Sequence, residues 1–193
     1  MTTSQISKSF TILLASILFT ISGVANAQNA SVISQNSSFI VHGTSTIHEW
    51  DMKTTKFNGE LGLNAAKQIN AASIKVEVKS LKSGKDGMDD KAYEAFDIKK
   101  NPYITFQLTE VSPVKLSEGD TEVTLTGNLT TAGTTRKVSF KTIAKITKSG
   151  DYQLKGSLPL KMTDFKMKPP TAMFGTIKSG DAVTIKFDVT FKG

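Results

Sequence analysis

The 193-residue sequence predicts an all-β fold, an antiparallel β-barrel of about eight strands with one short helical insertion. Three observations carry that prediction. Between Phe39 and Phe191 apolar residues recur with period two in run after run, as strands with one buried face require. The runs are short and joined by hairpin-length links rich in Gly, Ser, Asp and Asn. One stretch, Asp86 to Leu108, interrupts the alternation. This pattern fits an antiparallel barrel or a sandwich, and closure, which removes exposed strand edges, favours the barrel.

Residues 1–27 read as an export leader. Lys8 supplies a positive start, Phe10 to Ile21 an apolar run, and Ala25-Asn26-Ala27 a small-residue cleavage site. The run is shorter than the roughly 20 residues of a membrane-spanning helix, and no later stretch approaches that length. The mature protein is therefore expected to be soluble and periplasmic or secreted. Residues 28–193 fit one domain with a sizeable core. With no cysteine, packing and strand pairing rather than disulfides must hold it, and thiolate metal ligands are excluded.

Lys and Arg total 24 against 17 Asp and Glu, a formal charge of +7. Arg136 is the sole arginine, and the lysines fall on alternate strand positions. A solvated face explains them, and nucleic-acid binding is not expected. Such a surface is attracted to anionic membranes at roughly 1 kcal/mol per basic residue near the bilayer, so a transient membrane contact stays open. So does the oligomeric state, a homodimer included.

In chain order, the polar segment Ser31 to Ser38 reads as an exposed lead-in. Phe39 and Val41 begin the first strand, Gly43-Thr44-Ser45 punctuates it, and Ile47 to Met52 continue extended. A turn at Lys53 to Lys56 suggests a hairpin into Phe57, Gly59, Leu61 and Leu63. Ile74, Val76 and Val78 alternate cleanly with Lys75, Glu77 and Lys79. Asp86 or Asp89 then caps a helix of one or two turns with Met88, Ala92, Tyr93 and Phe96 on its apolar side. Asn101-Pro102 ends it, because proline disfavours helical geometry at the preceding residue.

Ile104, Phe106 and Leu108 leave as a strand, and Ser112 to Asp120 turns the chain into Val123, Leu125, Gly127 and Leu129. After Gly133 come Val138, Phe140, Thr142, Ala144 and Ile146, then a turn at Ser149-Gly150-Asp151 and the return strand Leu154 to Leu160. Met162 to Lys178 loses the alternation, holds Pro169-Pro170, and reads as a long loop of the functional kind. Gly180-Asp181 precedes the last strand, where Val183, Ile185, Phe187, Val189 and Phe191 alternate strictly with polar residues.

No motif of acyl, phosphoryl or hydride chemistry is present. His42 and His48, close to Glu49 and Asp51, invite a metal site, but on one straight strand they would stand roughly 20 Å apart. A sharp bend at Gly43 to Ser45 would be needed to join them. Asp86, Asp89 and Asp90 lack the ligand pattern of a calcium loop. Catalysis, a metal and a cofactor are not expected.

The interior carries the functional signal. Phe39, Val41, Val76, Phe106, Leu108 and Val123 would point inward, as would Leu125, Phe140, Leu158, Ile185, Phe187 and Val189, without a charge among them. A barrel of about eight strands is either filled or able to hold one small ligand, and apolar walls select a hydrocarbon-like guest.

Phe39-Ile40-Val41-His42-Gly43, the stretch Asp86 to Phe106 with Asn101-Pro102-Tyr103-Ile104-Thr105-Phe106, the hairpin Gly127 to Val138, and Asp164-Phe165 with Gly180-Asp181-Ala182-Val183 together resemble the YceI family. That resemblance implies an extended lipocalin-like antiparallel barrel in the periplasm, with a hydrophobic tunnel for a polyisoprenoid or similar amphiphilic lipid and no catalytic set. Tyr93 and Phe96 on the helix, with Phe165, Met173 and Phe174 on the long loop, are then candidates for its mouth and lid. Trp50 joins the candidate ligand-binding residues. Two other readings stay open: a metal-dependent enzyme centred on His42 and His48, and a filled barrel in a stress response that binds a partner through its lysine-rich face.

Overall fold

Period-two alternation is realised as one curled antiparallel sheet. The computed structural model describes residues 28–193, and the expected leader lies outside the described residues. The strands are β1 (Gln28–Ser31), β2 (Ser38–Ser45), β3 (Glu49–Thr54), β4 (Phe57–Leu63), β5 (Ile69–Glu77), β6 (Tyr103–Val111), β7 (Thr121–Thr131), β8 (Thr134–Ile146), β9 (Tyr152–Lys161), β10 (Thr171–Ala172) and β11 (Ile177–Phe191). One helix, α1 (Asp86–Phe96), lies between β5 and β6.

The sheet order is β1-β4-β5-β6-β7-β8-β9-β11-β2-β3, with β10 paired to β11, and every pairing is antiparallel. This is the expected all-β, lipocalin-like architecture, curled into a half-barrel. The described strands number eleven rather than eight. β1 escapes a hydrophobic-pattern reading because Ala30 is the one apolar residue in Gln28–Ser31, and backbone pairing to β4 holds it. Beyond the ladders, isolated bridges tie Val32 to Phe191 and Lys53 to Lys82.

The hairpin expected around Lys53 to Lys56 lies elsewhere. β2 pairs with β3, Phe39 opposite Thr54 and Thr44 opposite Glu49, so the tight turn is Thr46–His48. Its closure is the Ser45 N–H donating to the His48 carbonyl at 2.8 Å. β3 and β4 are not neighbours. Val78, fully buried, leaves the strand pattern for a 3-10 turn at Val78–Ser80.

α1 runs 11 residues, about three turns rather than one or two. Neither aspartate caps it. Lys85 occupies that position, while the buried Asp89 carboxylate accepts from the Ser83 N–H (2.8 Å) and hydroxyl (2.6 Å). The helix stops at Asp97, in the left-handed region, well before Asn101-Pro102.

The long loop after β9 is partly ordered by local hydrogen bonds, with 3-10 turns at Met162–Phe165 and Met173–Gly175 flanking β10. Gly180-Asp181 sits inside β11 as a bulge, where the register to β2 jumps between Ser179 and Val183. Asp181 fixes that bulge by accepting from the Thr163 hydroxyl (2.7 Å) and N–H (2.9 Å).

Candidate functional site

Inward residues of these strands do not fill the half-barrel completely. Three cavities adjoin in series, neighbours sharing wall residues. The mouth cavity, of about 230 Å³, lies between the β2–β3 turn, the first turns of α1 and the β10–β11 hairpin. A middle cavity of about 70 Å³ shares Trp50, Met52, Ala92 and Pro170 with it. An inner cavity of about 70 Å³ shares Ile185 with the middle one and ends among Phe39, Val189 and Phe191. The inner walls are wholly apolar, and the middle walls nearly so.

Cross-strand glycines shape these cavities. Gly43 stands opposite Trp50, and a Cβ there would come within 2.3 Å of the indole. The missing side chain is what lets Trp50 fold across the strand, with its Nε1–H donating to the Thr44 carbonyl at 2.9 Å. Gly156, opposite Phe187, gives that ring the same room. Phe187 then meets Phe140 edge-on at 5.7 Å, and Phe140 meets Phe106 at 5.6 Å, so three rings line the inner cavity. Each such contact contributes about 0.5–1.5 kcal/mol beyond area burial.

The middle cavity has a deformable wall. Met52, Met162 and Met167 line it with Phe96 and Phe165. Methionine adapts to irregular guests, so the pinch points at Trp50 and Ile185 sit among adjustable neighbours. Thr131, 7% exposed, also borders this cavity, and its hydroxyl has no partner among the described residues.

Two side chains of α1 tie it to the segment 79–83 beside the opening. The Tyr93 hydroxyl donates to the Leu81 carbonyl at 2.9 Å and approaches that of Lys79 at 3.0 Å. Asp89, 2% exposed, binds Ser83 and stands 3.3 Å from Lys82. Burial pushes the Asp89 carboxyl up, but the Ser83 and Lys82 donors outweigh it and hold the group below its ordinary value of 3.8.

Of the residues expected from sequence, Val41, Trp50, Phe96, Phe165 and Ile185 border the middle cavity. Phe39, Phe106, Leu125, Phe140, Leu158, Phe187 and Val189 border the inner one. Val76 and Val123 are buried core that borders none of the three, Leu108 packs against that core, and Tyr93 anchors the helix. Met173 and Phe174 point outward, 69% and 111% exposed. Met52, Met162 and Met167 lie outside the ligand-binding set expected from sequence, although Met52 continues the alternation of Trp50's strand and Met162 and Met167 fall on the long loop read as functional.

His42 and His48 do not meet. His42 lies across the hairpin from Asp51, with Nδ1 2.7 Å from the carboxylate, which this bond holds below its ordinary value. His48, in the turn, has Nδ1 2.8 Å from the Glu49 carbonyl. Among the described residues no cluster of three His, Asp or Glu side chains could hold a metal ion.

A curled antiparallel sheet with apolar cavities in series and an opening under a helix defines a lipocalin-like binding-protein class. The family model for YceI-like domains matches residues 7–191, and the chain belongs to the YceI family. Its fold is shared by a polyisoprenoid binding domain from Saccharophagus degradans, implicated in plant cell wall breakdown (13% identity, TM-score 0.67, 86% of this chain and 99% of that one). It is also shared by Burkholderia cenocepacia BcnA (22%, 0.66, 82% and 98%) and by a Campylobacter jejuni YCEI protein (16%, 0.57, 72% and 82%). No curated protein matches the chain.

Proposed function

We propose that this protein is an exported, periplasmic carrier that holds a long apolar lipid, a polyisoprenoid or quinone-like molecule, in the channel between α1 and Phe191. The run of three apolar cavities sharing Trp50 and Ile185 carries this reading. A guest threaded there is held by burial: at about 0.8 kcal/mol per methylene, some ten carbons gain roughly 8 kcal/mol before ordering costs. Few polar anchors are required. The polyisoprenoid binding domain of Saccharophagus degradans, similar in fold, supports the choice of guest, and the Lys8 to Ala27 leader pattern supports export.

Trp50 is the only tryptophan and stands between the mouth and middle cavities. Titration of delipidated protein with a polyprenol in detergent micelles should therefore shift and saturate its emission. Mass spectrometry of solvent extracts from protein purified without detergent should yield a stoichiometric isoprenoid. An unresponsive tryptophan together with an extract free of lipid would overturn the carrier reading.

A further inference from the structure

We propose that the mouth end of the half-barrel docks on anionic phospholipid bilayers, with Ile47, Met173 and Phe174 entering the interface. The proposal rests on the carrier reading and names the surface from which the guest is collected or to which it is delivered.

Among the described residues five large apolar side chains are exposed, and the three most exposed flank the mouth. Phe174 is 111% exposed, Met173 69% and Ile47 62%, whereas Tyr103 (42%) and Ile143 (39%) lie on β6 and β8. Ile47 borders the mouth cavity itself. Met173 and Phe174 form the tip of the β10–β11 hairpin, whose flanking Ala172 and Ile177 border that cavity too. The Thr46 N–H donates to the Lys178 carbonyl at 3.0 Å, so the two tips are fixed side by side.

The hairpin backbone sets the Phe174 side chain in an unusual place. Met173 and Phe174 have φ of 49° and 54°, the left-handed region where bulky residues are rare and Asn or Gly is the ordinary choice. A loop serving only to connect β10 and β11 would need neither side chain.

Charge selects the partner. Lys85 and Lys91 rim the cavity and Lys178 lies at the base of the hairpin, in a chain of net charge +7. Asp86 and Asp90 share the helix and Glu94 pairs with Lys91, so attraction by charge alone is partial and the apolar tips must supply the rest. Basic residues around inserting apolar groups suit an anionic bilayer. Three side chains on two tips are far less than the roughly 800 Å² per partner of a stable protein interface.

The test is flotation of the purified protein with vesicles of phosphatidylglycerol and phosphatidylethanolamine, beside vesicles of phosphatidylcholine alone. Wild type should bind the anionic vesicles and release them in high salt. The double variant Met173→Asn with Phe174→Asn keeps a hairpin that tolerates left-handed geometry, and should bind at least about tenfold more weakly. Lys85→Glu should weaken binding by several-fold.

Wild type that ignores anionic vesicles, or a double variant that binds them equally well, overturns the proposal. So does a concentration-dependent dimer that the double variant abolishes in the absence of vesicle binding. The double variant should keep a cooperative melting transition, which separates weaker docking from loss of fold. Loss of micelle uptake in wild type itself would instead strike the carrier reading.

Discussion

Two buried polar side chains near the channel do opposite work. The Thr131 hydroxyl is buried without a partner among the described residues, an arrangement that costs about 1–3 kcal/mol. Thr131→Val should raise stability by about 1 kcal/mol, seen as a higher urea midpoint at unchanged slope. Asp89 is satisfied, and Asp89→Ala should cost about 2–3 kcal/mol by freeing Ser83 and Lys82. Its folded pKa lies below the unfolded value of 3.8. Its stabilising contribution is therefore complete above that value and fades as pH falls through the lower folded pKa. Chemical denaturation between pH 2 and pH 5 should show this loss in wild type, and a correspondingly smaller slope in Asp89→Ala.

At the scale of elements, the strands declare themselves wherever one face is apolar. β11 is the clearest, and the inward set from Val183 to Phe191 was legible by alternation alone. β1 was not, because an element with one apolar residue owes its existence to a partner strand distant in sequence. Asp89 does not cap α1 for a related reason: Ser83 folds back and captures its carboxylate. The β10–β11 hairpin carries its own prediction. Placing asparagine at Met173 and Phe174 relieves left-handed backbone that costs bulky residues roughly 1–2 kcal/mol each, so the double variant should melt higher than wild type in calorimetry.

For the molecule as a whole, the fold and the inward-facing set were readable, and which inward residues border a cavity was not. Period two identifies which residues face inward, but whether Val76 fills core while Phe106 borders a cavity depends on the curl of the sheet and on glycines opposite the rings. The carrier reading adds a global expectation. A guest that binds only the folded state at a hundred times its dissociation constant stabilises it by about 2.7 kcal/mol, so loaded protein should melt some 5–10 °C above delipidated protein. Equal melting curves would mean that the guest is not held inside.

The end strands β1 and β3 share no ladder; isolated bridges instead tie Val32, just past β1, to Phe191 of β11, and Lys53 of β3 to Lys82 in the segment before α1. In a continuously paired barrel the girth is set by strand number and stagger, and it can change only if whole registers slip. Here the circumference has a clasp. On the carrier reading proposed above, such a wall is expected to take guests of more than one thickness while every ladder from β1 to β3 keeps its register.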